Sequence, residues 1–139
     1  MTRGTKNRPI IVPDAFATSS TERHGVRITR HAIDRASVRV LDRYTRTRLT
    51  GPDPEGLFAW LLRLASIAVH YTVARAPVPL PVGEPIDELH LIVLGVHMVL
   101  TRAERREGEP MPDTGWALST VYEAHPASRT TATRRRARA

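Results

Sequence analysis

Cysteine is absent from the 139 residues, lysine is confined to Lys6, and aromatic residues make up only 5% of the chain. Without cysteine there is no disulfide framework, no thiolate nucleophile and no cysteine-built zinc site. A reducing cytoplasm is therefore the expected location. The N-terminal stretch 1–9 is basic but no apolar run follows it, so no secretory leader is expected. The chain also lacks a Gly-rich phosphate loop, a nucleophile elbow and a carboxylate pair at useful spacing, and no metal or cofactor is expected. What remains is 41% hydrophobic content, enough at this length for one modest core in a single domain.

The net charge of +7 is unevenly placed. Residues 125–139 carry +5, including Arg134, Arg135, Arg136 and Arg138, and residues 1–24 carry +2, which leaves 25–124 neutral. Arginine forks bind phosphates in a bidentate manner and stack on bases, although a GC-rich genome produces the same arginine bias. Each phosphate that the tail neutralises adds sequence-independent, salt-dependent affinity for nucleic acid. An inert solubilising tail is the other reading.

Residues 1–24 mix proline, serine and charge without sustained periodicity and read as an extended or disordered arm. Val26 and Ile28 alternate with Arg27 and Thr29, as in a short edge strand. Thr29 then serves as N-cap for a helix over 30–46 with Ile33, Ala36, Val40, Leu41 and Tyr44 as its buried stripe. Asp53 and Pro54 start a second helix over 54–75 that is apolar almost all round. Within it Arg63, Ser66 and His70 fall on one narrow stripe, and the two basic side chains argue against a membrane span. A core helix, or a homodimer contact through 54–75, is expected. Four prolines make 76–87 a non-helical connector. Residues 89–101 read as strand with Gly95 marking a turn or bulge, 102–115 as a flexible loop, and Trp116 to Glu123 as a last strand. Residues 125–139 form a disordered Arg-rich tail. The fold class is α+β, with two N-terminal helices packed on a small antiparallel sheet over 25–124.

The most informative stretch is 26–44. Ile28, Thr29, His31, Ala32 and Arg35 spell an Ile-Thr-x-His-Ala-x-x-Arg opening, and Thr120, Val121 and Tyr122 close the domain. Opening and ending together resemble the RelE/BrnT-like toxin superfamily, in particular small bacterial and phage proteins related to it. The resemblance covers 25–124 and implies a curved antiparallel sheet that binds RNA, in several members cutting it without metal by attack of the ribose 2′-hydroxyl on the adjacent phosphate. Carried over, His31 is the acid/base candidate, Arg35 neutralises phosphate charge, and Thr120 and Tyr122 contact sugar or phosphate. The chain departs from the pattern in several places. Arg39 follows Val38 rather than Glu, the second helix is longer and more apolar, and the core holds no lysine.

Each candidate also has a structural reading. His31 can face solvent, Arg35 can pair with a strand residue, and Arg39 and Arg43 can form a solvated basic face. His90 and His97 would face opposite sides of an unbroken strand, which argues against a shared metal, although Gly95 can undo that parity. Trp60 and Trp116 are core candidates, with Trp116 alternatively stacking on a base. The expectation is a nucleic-acid-binding domain, with RNA before DNA as its partner and without turnover. The alternatives are a metal-independent endoribonuclease toxin using His31, Arg35 and Tyr122, with an antitoxin as partner, and a helix-mediated assembly protein.

Overall fold

The computed structural model describes residues 9–19, 25–74 and 88–124. In chain order the elements are β1 (Ile10–Ile11), α1 (Asp14–Ser19), β2 (Val26–Ile28), α2 (Arg30–Arg39), α3 (Leu41–Thr47), α4 (Leu57–Ala74), β3 (Glu88–Val93), β4 (Val96–Arg102) and β5 (Trp116–Glu123). The proline-rich connector and the Arg-rich tail lie outside the described residues.

The fold is α+β, but its sheet is mixed and larger than the sequence suggests. Its five strands run in the order β1-β3-β4-β5-β2. The three C-terminal strands form an antiparallel meander, while β1 pairs parallel with β3 and β2 pairs parallel with β5. Both parallel strands precede helices, and only such a long connection can return a chain to pair in the same direction. Part of the expected N-terminal arm is thereby folded. Ile10 and Ile11 extend the sheet, the Val12 amide donates to the Ile92 carbonyl at 2.8 Å, and α1 packs Phe16 edge-on against Tyr71.

Thr29 caps α2 as expected: its hydroxyl accepts from the Ala32 amide at 3.1 Å and donates to the Leu118 carbonyl at 2.8 Å. The cap thus also fastens the helix start to β5. The expected single helix over 30–46 breaks at Val40, whose φ of −131° and ψ of 21° leave the helical region. Ala32, Ala36 and Val40 are fully buried and Tyr44 packs edge-on against Trp60 at 5.4 Å. The break turns Leu41 outward to 49% exposure, so it does not belong to the buried stripe.

Helix α4 begins at Leu57, beyond the expected start at Asp53 and Pro54. Glu55 accounts for the shift. Its carboxylate accepts from Arg63 Nε at 2.8 Å and Nη2 at 2.9 Å and from the Leu49 amide at 3.0 Å, closing the preceding loop instead of capping the helix. Trp60, Leu61, Leu64, Ile67, Ala68 and Val69 are buried against β2 and β3, with α1 and α2 on the flanks. Being surrounded explains why the helix is apolar on most sides. Among the α4 residues whose burial is described, only Phe58 and Ala59 in the first turn are exposed. Among the described residues no helix is long and apolar enough to cross a membrane.

The turn between β3 and β4 is two residues long, with Leu94 at φ 50° and Gly95 at φ 83°. Such a turn matches the right-handed twist of a hairpin. Leu94 tolerates the left-handed region because its side chain packs on the core. Gly95 has a further constraint, since a Cβ there would lie 2.6 Å from the Arg43 guanidinium carbon. In the 102–115 stretch, expected to be a flexible loop, Arg102 belongs to β4, and the loop after it is fastened by Arg27, which donates to the Glu104 carbonyl at 2.7 Å and the Pro110 carbonyl at 3.3 Å.

Two stability predictions arise from these contacts. The Arg63–Glu55 pair is buried, with 6% side-chain exposure on each partner. Arg63→Ala strands the carboxylate and is expected to cost roughly 3–5 kcal/mol, whereas Arg63→Met combined with Glu55→Leu costs much less; urea unfolding of the three chains measures the difference. Gly95→Ala is expected to cost about 1–2 kcal/mol through backbone strain alone and to push Arg43 away from its Glu123 partner.

Candidate functional site

The hairpin register decides which side chains share a face. His90 stands opposite Val99, and Ile92 opposite His97, which in turn stands opposite Tyr122 on β5. Side chains alternate between faces along each strand. His90, Ile92, His97, Val99, Thr120 and Tyr122 therefore lie on the face opposite the helices. The helices' buried residues all join the core on the other face, with Leu91, Val93, Met98, Leu100, Leu118 and Val121. A bulge in β5 follows the Val99–Thr120 pair and leaves Ser119 without a cross-strand partner; its hydroxyl meets that of Thr101 at 2.6 Å.

A continuous polar row crosses this outer face. Glu88 Oε1 lies 2.9 Å from His90 Nε2, and His90 Nδ1 lies 2.9 Å from His97 Nε2. The His97 ring meets the Tyr122 ring edge-on at 6.0 Å. Over the Tyr122 ring, at 4.5 Å from its centre, sits the Arg39 guanidinium. Arg39 Nη1 donates to the Val121 carbonyl at 3.2 Å and to the Thr120 hydroxyl at 3.4 Å. It can do so because β2 covers only Trp116 to Leu118, leaving the later part of β5 open at that edge.

The residues singled out from the sequence are distributed along this row and the helix leading to it. His31 and Arg35 are exposed and touch one another, with Arg35 Nε donating to His31 Nε2 at 3.4 Å. Arg39 is one turn further along the same side of α2. Among the described residues, Tyr122 contacts Arg39 and His97, so its link to the helix runs through Arg39. Arg43 is tied to Glu123 at 2.7 Å and has its charge matched. Trp116 is buried, with Arg102 over its ring at 4.6 Å, which leaves no open face for a base. Arg134, Arg135, Arg136 and Arg138 lie outside the described residues. Among the described residues no group of three or more metal-binding side chains could hold an ion.

The comparisons with protein-family models, with curated proteins and with solved structures find no match to this chain. Chemistry at the site therefore has to be read from the residues. Tyr122 is 43% exposed and offers a π-face, Arg39 a held guanidinium, Thr120 a hydroxyl, and the histidine pair a titratable group. The pairing of His90 with His97 is the feature that the sequence alone left open. A two-residue turn at Leu94 and Gly95 was the signal for it, since that turn returns His97 to the face of His90.

Burial holds His97 below the usual imidazole range, and the neighbouring His90 lowers it further. On acidification the unfolded chain takes up this proton first. The stability tied to neutral His97 is complete above about pH 6.5 and is lost as the pH falls through the lower folded midpoint. Denaturant midpoints recorded between pH 8 and pH 5 should fall more for the wild type than for His97→Gln.

Proposed function

We propose that this chain is a small nucleic-acid-binding domain, for RNA rather than DNA, that holds single-stranded sugar-phosphate on the outer face of its sheet without turnover. The observation that carries this reading is Arg39 fixed over the exposed Tyr122 ring, 4.5 Å from its centre, with Thr120 beside it. Arg39 commits Nη1 to the sheet and keeps Nη2 and Nε for a phosphate. Stacking on an aromatic ring next to a held cation is how sequence-tolerant single-strand surfaces work. The helices occupy the opposite face, and Tyr122 on this one keeps 43% of its surface exposed.

The resemblance to the RelE/BrnT-like superfamily supports RNA as the ligand. That resemblance rests on the opening at Ile28, Thr29, His31, Ala32 and Arg35 and on the Thr120-Val121-Tyr122 ending. An Arg-rich tail would add non-specific affinity. A second reading, an endoribonuclease using His31 and Arg35, is favoured by their 3.4 Å contact on an exposed helix face.

Fluorescence anisotropy with a single-stranded RNA oligonucleotide tests the binding reading. Tyr122→Ala is expected to lose about 1–3 kcal/mol of affinity, the usual worth of one stacked base. Arg39→Gln should weaken binding and lower the slope of log affinity against log salt by about one. An unaltered affinity in Tyr122→Ala, or equal affinity for duplex DNA, would dismiss the reading. RNA incubated with protein and assayed for cyclic-phosphate ends separates the second: ends formed by the wild type and lost in His31→Ala establish turnover.

A further inference from the structure

The proton inventory of the Glu88–His90–His97 row has one consistent solution when both imidazoles are neutral. An ionised carboxylate only accepts, so His90 Nε2 carries the hydrogen that points at Glu88. His90 Nδ1 is then the acceptor and His97 Nε2 the donor across their 2.9 Å contact. His97 Nδ1 is left without a hydrogen, and no described side chain bonds to it. Adding one proton there disturbs nothing, because His97 Nε2 remains a donor and every bond of the row is kept. A second proton would set two donors face to face and break the pair.

From this we infer that His97 Nδ1 is a proton-accepting phosphate contact, which takes up one proton as a phosphate group settles beside the Tyr122 ring that Arg39 also covers. The ligand class, a phosphodiester, rests on the nucleic-acid reading above; the proton site rests on the row's geometry. Glu88 acts as a positioning residue, fixing which nitrogen of each ring is bare and partly balancing the added charge through His90. Among the described residues, the ionisable groups facing the pair are Glu88 on β3, Tyr122 on β5 and, across that ring, Arg39 on α2. Glu123 does not compete, being paired with Arg43. Burial and the neighbouring His90 disfavour the charged form of His97 in the free chain, so an anion that favours that form binds together with a proton.

Nitrogen-15 and proton NMR of the imidazoles in the full chain tests this, first alone, then with inorganic phosphate, then with a single-stranded RNA oligonucleotide. The expected result is a bare His97 Nδ1 at pH 8 and a His97 midpoint raised by phosphate. RNA affinity should also tighten by up to about tenfold per pH unit on acidification above that midpoint. His97→Gln should flatten this profile, and Glu88→Gln should mix the two tautomers of His90 and His97. A hydrogen on Nδ1 of neutral His97, or a midpoint that phosphate leaves unchanged, overturns the inference. RNA bound equally at all pH values also overturns it while the nucleic-acid reading stands. A phosphate response with no RNA binding supports the proton site and ends that reading.

Discussion

The two-residue turn at Leu94 and Gly95 is the constraint on which the outer face of the sheet depends. A turn one residue longer or shorter would slip the register and move alternate side chains of one strand to the other face. His97 would then enter the core and Met98 would face out. Gly95 does more than admit a positive φ. With no side chain it lets Arg43 lie against the turn, where it pairs with Glu123, and its carbonyl accepts from the Ala124 amide at 2.9 Å. The hairpin tip, the end of β5 and helix α3 are thus held at one point, and the position of Tyr122 relative to His97 follows from it.

A second constraint is the shortness of β2. Its three residues pair only with Trp116 to Leu118, and Thr29 closes that pairing while starting a helix. Had β2 run longer, its backbone would have taken the Val121 carbonyl and covered the edge that Arg39 now reaches. The early N-cap therefore lets a helix side chain cross to the outer face. It also makes Arg39 a held group, with little conformational freedom left to lose on binding.

Much of the frame was legible in the sequence. Trp116 to Glu123 is rich in aromatic and β-branched residues and is followed by His125 and Pro126, Thr29 has the chemistry of an N-cap, and the 54–75 segment is too apolar for any surface helix. The errors have physical origins. The break at Val40 leaves no mark in composition, since a β-branched residue is only weakly unfavourable in a helix and burial decides its backbone. The parallel edge strands could not be read because strand direction depends on where a chain returns, not on local pattern. Glu55 stands beside Asp53 and Pro54, where the sequence starts the second helix, and only the fold shows that a buried Arg63 claims it. At the site, the helix row of His31, Arg35 and Arg39 was visible as spacing, whereas the histidine pair required knowing that Gly95 closes a tight turn.

The distribution of matched and unmatched charge gives the face its character. Seven arginines and two aspartates crowd residues 26–48. Several of those cations are already engaged: Arg27 with the loop and Glu109, Arg43 with Glu123, and Arg46 with Asp42 at 2.8 Å. Arg48 lies over Tyr44. Arg39 is bound only to neutral acceptors and an aromatic ring, none of which cancels its charge. It stands at the one junction where helix, sheet edge and outer face meet. The face thus carries an unmatched cation over the exposed Tyr122 ring, with the His97 ring edge-on to that ring. Recognition there would depend on local geometry, and the overall excess of arginine would contribute reach and salt dependence.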